Sequence, residues 1–316
     1  MNHVPRVLAL VVVLASINAS AQQATIFPFL RSMMSARMAG LAGSTVAMPN
    51  DPSNVVLNPA VLSTLEHRRV SGTFIKHVLD INAGYATYNQ ELEDIGTFAV
   101  TASFTSYGSF DRANDVGTIN GTFGANDVVF GVSFARDLDT LISYGITAKV
   151  LHSSLDDLAS TALAVDAGLL FRFPAQRTNL GVSILNVGTQ LTTYDGTHDA
   201  LPLDMRIGVN HRLRGLPLLV NVSLNHLTDD VTSFFDRFLN FSLGGELYIG
   251  KVVQVRVGYD NATRNTSNVN VATQLTGLSA GIGLALPTLE FDYAMSSLGA
   301  STLLHRVSVA VRIDGQ

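Results

Sequence analysis

A strict alternation of apolar and polar residues is the feature that most limits how this chain can fold. The clearest case is the run Leu203–Leu213. Met205 and Ile207 would lie on one face of this run, and Asp204 and Arg206 would lie on the other. A period of two predicts extended strands with one apolar face and one polar face, and it argues against helices.

Similar runs repeat from Arg68 to Ile313. There are about fourteen of them, each near the 9–11 residues that a tilted membrane-spanning strand needs. The connections alternate between short turns and long polar segments. The long ones are Gly108–Gly124, Thr189–Pro202, Leu227–Phe238 and Asn261–Thr273. Outer-membrane barrels have long outside loops and short periplasmic turns, so we expect both ends of the barrel in the periplasm.

The composition suits a barrel that contacts lipid. The chain is 47% hydrophobic and only 14% charged, whereas soluble domains usually carry about 25% charged residues. A soluble barrel and a membrane barrel show the same alternation with opposite faces turned inward, so the strand number decides between them. About eight strands enclose a small interior, whereas about fourteen leave a wide one.

A wide interior can hold the charges of the polar faces. An Arg or Lys turned toward lipid at mid-membrane would cost about 2–4 kcal/mol. We therefore predict an all-β fold, a transmembrane antiparallel barrel of about 14 strands with a small N-terminal plug-like segment. The predicted lumen-facing charges are Asp204, Arg206, Glu246, Arg256 and Glu290.

The N-terminus has the three parts of a secretory signal peptide. Arg6 supplies positive charge, Val7–Ala15 is apolar, and Ala19-Ser20-Ala21 is a small-residue cleavage site. We expect residues 1–21 to be removed on export. Residues 22–66 would form the plug-like segment and residues 67–316 the barrel.

The plug-like segment is rich in small residues and turns. Gly40 and Gly43 permit close backbone approach, and Asp51-Pro52-Ser53-Asn54 predicts a tight turn. Pro59 cannot donate a backbone hydrogen bond inside a sheet, so this stretch is not an ordinary strand. Such a segment suits packing inside a larger container.

The sequence carries no pattern typical of an enzyme. It contains no cysteine, its histidines lack metalloprotease spacing, and Gly281-Ile282-Gly283 lacks the third glycine of a dinucleotide site. The net charge of -5, without a basic stripe, argues against nucleic acid binding. We therefore predict a protein without catalytic residues, metal or cofactor.

The plug-like segment also resembles a known family. Its opening is similar to that of the PorV/PorQ family of outer-membrane barrels, which belong to the type IX secretion system of Bacteroidetes. The runs Tyr107–Arg112, Gly121–Asp127 and Asn186–Leu191 resemble the PorQ branch in particular. The same plug motif resembles the hatch of FadL-type fatty-acid channels, whose barrels have fourteen strands. The motif residues are Ser35, Arg37, Gly40, Gly43, Asp51, Pro52, Asn58, Pro59 and Ala60.

The resemblance implies a non-catalytic role in the outer membrane. Members of the PorQ branch anchor PorZ in a surface complex with PorU and PorV, where secreted cargo is attached to lipopolysaccharide. Of the predicted outside loops, Gly108–Gly124 and Leu227–Phe238 would dock the partner. Two alternatives remain open: a FadL-like channel that holds a long-chain fatty acid or another hydrophobic molecule in its lumen, and a secreted β-sandwich adhesin.

Overall fold

The computed structural model describes residues 27–77, 80–114, 117–231, 233–266, 275–299 and 302–313. The predicted signal peptide lies outside these residues. Fourteen antiparallel strands form one closed barrel in which each strand pairs with its sequence neighbours. β1 and β14 close the ring, with Thr73 opposite Ser308. The predicted transmembrane barrel fold is therefore confirmed, and the β-sandwich alternative is wrong.

Strand lengths differ around the ring. The strands are β1 Arg69–Lys76, β2 Asn82–Leu92, β3 Gly96–Ala113, β4 Ile119–Asp137, β5 Ile142–Leu155, β6 Leu158–Phe173, β7 Thr178–Thr192, β8 Asp204–Arg212, β9 Leu218–Leu224, β10 Phe241–Ile249, β11 Val253–Asp260, β12 Leu278–Ala285, β13 Leu289–Gly299 and β14 Thr302–Arg312. The α-helices are α1 Ala36–Gly40 and α2 Asn261–Thr266, and the short 3-10 helices are Pro28–Arg31, Pro52–Val56, Pro59–Thr64, Pro174–Gln176 and Phe234–Leu239.

The apolar faces of the strands point outward. In β1, Val70 and Phe74 are exposed, whereas Ser71 and Thr73 are buried. A soluble barrel would show the reverse, because its apolar face fills the interior. This arrangement places an apolar belt against lipid. No helix among the described residues is both long and apolar enough to cross a membrane.

The β3–β4 hairpin is longer than the sequence predicts. Gly108–Gly124 is not a polar loop, because β3 runs on to Ala113 and β4 begins at Ile119. The pairing shifts register between Ser106 and Ser109, where an irregularity breaks the alternation. The arms continue beyond this shift and leave only a short connection at the tip.

The described part of the plug-like segment, residues 27–66, fills the barrel interior. Its large apolar side chains Met38, Leu41 and Leu62 are fully buried. The helix α1 contacts β11–β14 on one side of the barrel, and the 3-10 helix Pro59–Thr64 contacts β3–β6 on the other. β1 then begins at Arg69. The division into signal peptide, plug and barrel at residues 21 and 66 stays a prediction.

Glycines in the inner wall leave room for much of the plug backbone. Inward-facing glycines lie opposite each other in pairs on neighbouring strands, and plug backbone lies against most of them. The pairs are Gly145 with Gly168, Gly181 with Gly208, and Gly244 with Gly258. A Cβ added at Gly258 would lie 2.6 Å from the Ala42 nitrogen. The glycines therefore form a groove shaped to the plug, and a side chain there would displace it.

Candidate functional site

The helix α1 of the plug is capped and tied to the wall. Ser35 precedes α1, and its hydroxyl accepts a hydrogen bond from the backbone nitrogen of Met38 at 3.2 Å. This is the ordinary N-cap role of serine. The backbone nitrogen of Ala36, the first residue of α1, donates to Ser308 Oγ of β14 at 2.8 Å. The start of the helix is thus held against the barrel seam.

Gly40 and Gly43 serve different purposes. A Cβ at Gly40 would lie 3.3 Å from both Arg256 Cβ and Gly281 Cα, so glycine permits α1 to approach β11 and β12. Gly43 has a φ of +72°, a conformation that L side chains rarely adopt. It lies just after α1, where it turns the chain toward the second half of the plug.

The two proline motifs are built alike. The Asp51 carboxylate accepts from the Ser53 nitrogen at 2.9 Å, and Pro52 follows as the first helical residue. In the second motif Asn58 Oδ1 accepts from the Ala60 nitrogen at 3.0 Å, with Pro59 in the first position. Proline is favoured there because that position needs no backbone donor. Each motif therefore starts a short 3-10 helix.

Asn58 also joins the plug to the barrel. Its Nδ2 donates to Val46 O at 3.0 Å within the plug and to Leu169 O of β6 at 3.1 Å. The side chain is completely buried above Gly168, where a Cβ would collide with its Oδ1. The side-chain amide of Asn58 thus caps a helix through its oxygen and donates through its nitrogen to one plug carbonyl and one wall carbonyl. This geometry explains the asparagine of the Asn-Pro-Ala motif.

Arg37 forms the main ionic contact between plug and wall. Its Nη2 lies 2.9 Å from Glu246 Oε2, and Arg256 Nε lies 3.0 Å from Glu246 Oε1. Arg256 continues to Asp292 at 2.5 Å. Burial alone would lower the pKa of the Arg37 guanidinium, but Glu246, Tyr248 and Asp51 together outweigh burial and raise the pKa well above its ordinary value. Arg37 therefore remains a cation inside the barrel.

The other predicted lumen charges are also paired. Asp204 accepts from Arg206 at 2.6 Å and faces His226 Nδ1 at 3.1 Å. Glu290 lies 3.1 Å from Arg312 and 3.4 Å from Arg69 of β1. The structure thus brings Arg37, Glu246, Arg256 and Asp292 into one cluster and leaves Asp204 with Arg206 in a separate one. These pairs neutralise the charges of Asp204, Glu246 and Glu290 in the wall.

Two large cavities lie at opposite ends of the plug. The end of the barrel with short turns, here called the turn end, holds a cavity of about 850 Å³. Its charged lining includes Arg69, Arg172, Arg212, Glu66 and Glu91. The opposite end, with the longer connections, is called the loop end. It holds a cleft of about 450 Å³ whose lining is mainly apolar and aromatic.

The loop-end cleft is formed by segments far apart in sequence. Phe110 and Phe123 stack across the β3–β4 hairpin with centroids 5.4 Å apart. Phe27, from the start of the plug, packs edge-on to Phe29 at 6.1 Å and forms part of the lining. The remaining large side chains of the cleft are Tyr107, Leu155 and Tyr194.

Sequence reasoning missed this cleft because it treated the hairpin arms as a docking loop. The available indication was a pair of phenylalanines on the two arms of Gly108–Gly124. The contributions of Phe27 and Tyr194 had no local indication, since only the closed barrel brings them near the hairpin. Within the described residues, no three His, Asp or Glu side chains are arranged to hold a metal ion.

Comparisons with known proteins show which solved structures have a similar fold. No family model matches the sequence, and no curated protein matches it. Among solved structures, the Ralstonia pickettii toluene transporter TbuX matches with a TM-score of 0.60 and 13% identity over 89% of this chain and 98% of that chain. A Pseudomonas aeruginosa FadL homologue matches with a TM-score of 0.57 and 12% identity over 90% of this chain and 99% of that chain. The CymD monoaromatic hydrocarbon channel matches with a TM-score of 0.58 and 12% identity over 89% of this chain and 98% of that chain.

The chain has a FadL-like fold. At 11–13% identity the similarity concerns architecture alone. The narrower resemblance to the PorV/PorQ family stays a prediction.

Proposed function

We propose that this protein is a non-catalytic outer-membrane barrel that captures small hydrophobic molecules at its loop end for passage into the cell. The aromatic cleft of about 450 Å³ is the observation that carries the proposal. Apolar clefts of this size suit small ligands, which lose water-exposed area when they enter. Similar structures include a toluene transporter and a monoaromatic hydrocarbon channel, which supports this choice.

The orientation of the barrel follows from its connections. Long connections face outside in bacterial barrels, so the loop end and its cleft would face the extracellular medium. Residues 1–21 would direct export through the inner membrane as a signal peptide. The cleft would then be the first part of the protein that an external molecule meets.

The plug obstructs the path of a molecule through the lumen. It fills the lumen between the two cavities and is held by Asn58, by the Arg37–Glu246 pair and by the wall glycines. The turn-end cavity is lined by many charged side chains and offers a hydrophobic molecule little favourable contact. Capture at the cleft is therefore a separate step from transit, and transit requires the plug or the wall to move.

The test removes the stacked pair and measures binding. Phe110 and Phe123 are both changed to Ala, and the affinity for phenylbutanol is measured calorimetrically in lipid nanodiscs. We expect a loss of about tenfold or more, since each truncation removes a large aromatic contact area. The control changes Phe98 and Phe134 to Ala, another ring pair, with centroids 5.0 Å apart, at the turn end. Equal binding by both variants would contradict the proposal.

A second candidate function comes from the loop between β9 and β10. Phe234, Phe235 and Phe238 stand on a 3-10 helix there, and the first two are 65% and 75% exposed. We propose that this surface docks an attachment-complex partner, a PorZ-like protein with PorU and PorV, near outer-membrane lipopolysaccharide. Exposed aromatic side chains are typical anchors of protein interfaces.

This second candidate is tested by changing Phe234 and Phe235 to Ser. We expect the variant to lose the partner in affinity purification from the native host while the barrel stays folded. Leu216→Ser is the control, because Leu216 is also exposed but lies in the turn between β8 and β9. Retention of the partner by the double variant would remove the loop from consideration.

A further inference from the structure

The loop-end cleft contains one buried acid. Asp127 lies on the inner face of β4 and is only 5% exposed. Tyr107 OH donates to its Oδ2 at 2.6 Å, and the Ser153 hydroxyl donates to its Oδ1. Both donors are neutral, so the hydrogen bonds stabilise the carboxylate without cancelling its charge.

No basic side chain belongs to the described lining of this cleft. Arg112, on the same hairpin, pairs with the Asp156 carboxylate in an exposed position. Lys149, on the inner face of β5, lies 2.7 Å from Asp166 and is engaged there. Asp127 therefore differs from the other buried wall acids Asp204, Glu246 and Asp166, each of which has a basic partner.

The surroundings of Asp127 favour a cation. A carboxylate offers about four acceptor positions, and the two hydroxyls occupy two of them. A buried charge is costly unless it is paired, so an incoming cation would find an unsatisfied partner. Tyr107, Phe110 and Phe123 line the same cleft, and aromatic rings attract cations through their quadrupoles.

The loop residue Tyr194 lies close to this acid. Burial raises the pKa of the Tyr194 hydroxyl, a hydrogen bond with Ser153 lowers it by less, and the Asp127 carboxylate adds a smaller rise. Tyr194 therefore stays a neutral phenol at physiological pH. It contributes an aromatic face and a hydroxyl to the cleft, and it supplies no charge that would balance Asp127.

We propose that the cleft selects hydrophobic molecules that carry a protonated amine, with Asp127 as the counter-ion and the aromatic rings as the contact for the apolar part. The inference rests on the proposed capture function of the cleft. It also has a consequence for the fatty-acid alternative, because a carboxylate ligand would meet a carboxylate of the protein at the polar end of the cleft.

The experiment compares three ligands with one skeleton. Phenylbutylamine, phenylbutanol and phenylbutanoate differ only in the terminal group, which is positive, neutral or negative at neutral pH. Their affinities are measured calorimetrically with the full chain in nanodiscs of zwitterionic lipid. We expect the amine to bind about tenfold tighter than the alcohol, equivalent to about 1.4 kcal/mol, and the carboxylate to bind most weakly.

Two variants assign the preference to Asp127. Asp127→Asn keeps the shape of the side chain and should remove the tenfold advantage of the amine over the alcohol. Asp157→Asn is the control, because it removes the same charge from an exposed turn between β5 and β6. The control should keep the full preference. Heat-dependent migration on gels checks that every variant remains a folded barrel.

The outcomes separate the two levels of the proposal. If all three ligands bind equally, or if the carboxylate binds best, cation selection is overturned while the capture function stands. If the amine preference survives in Asp127→Asn, the assignment to Asp127 is wrong. If no ligand binds to the wild-type protein, the capture function fails, and cation selection fails with it.

Discussion

The fit between the plug and the wall glycines gives a sharp prediction. Gly258 and Gly244 lie opposite each other beneath Leu41 and Ala42. A Cβ at Gly258 would lie 2.6 Å from both Leu41 C and Ala42 N, and these backbone atoms cannot move without the plug. Overpacking of this kind costs about 1–3 kcal/mol. Gly258→Ala should therefore loosen the plug by roughly 5- to 150-fold in equilibrium population.

The matched control is on the neighbouring strand. Gly245 directly follows Gly244 in β10 but faces the other way. A Cβ there would lie 3.7 Å from Val257 Cγ2, an ordinary contact distance. Gly245→Ala should therefore leave the plug in place. Both variants replace a strand glycine with alanine, so the effect of alanine on strand propensity is shared by the two and cancels in the comparison.

The assay uses the absence of cysteine in the chain. A single cysteine is introduced in the plug by Ser53→Cys, at a buried position in the 3-10 helix Pro52–Val56. The rate of maleimide labelling then reports how often the plug leaves its place. We expect labelling to be about tenfold faster in Gly258→Ala than in the parent, since about 1.4 kcal/mol is a factor of ten. Equal labelling rates in both alanine variants would refute the argument that these glycines shape a groove for the plug.

Three further predictions concern buried polar contacts. Glu246→Gln should lower stability by about 3–5 kcal/mol because it leaves the buried Arg256 and the partly buried Arg37 without their shared anionic partner; the thermal midpoint of the barrel measures this, with the exposed Glu93→Gln as control. Asn58→Ala should cost about 1–3 kcal/mol and raise plug labelling, since it leaves buried backbone carbonyls unpaired; unchanged labelling would contradict this role. Lys149→Met should destabilise the barrel by about 3 kcal/mol, because Asp166 is 1% exposed and would lose its counter-ion; an unchanged midpoint would argue that the pair contributes little.

The β3–β4 hairpin shows how a local pattern can mislead. Alternation predicts a strand only while its phase is kept, and the register shift between Ser106 and Ser109 interrupts it. Beyond the shift, polar residues such as Asp111 and Asn120 made the arms look like a loop. The segment that the sequence predicted as a long polar loop is instead a hairpin whose arms line the cleft, and its docking of a partner stays a prediction.

The plug motif shows the opposite case. Small residues, prolines and caps predicted an irregular segment packed inside a container, and these properties depend on residues close in sequence. Asn58 and Asp51 act as caps within two residues of their own position. Capping and turn formation are local interactions, so their pattern is visible before the fold is known.

The sequence alone determined that the chain forms many spanning strands, because the period of two is present in each run, and the number of strands predicted that their apolar faces meet lipid. The tertiary structure alone decided which polar groups meet. Arg37 and Glu246 are 209 positions apart, and Phe27 joins Phe110 and Tyr194 in one cleft. The absence of a basic side chain from the described lining around Asp127 is likewise a property of the closed barrel. Such contacts depend on closure and register between distant segments, which no local pattern records.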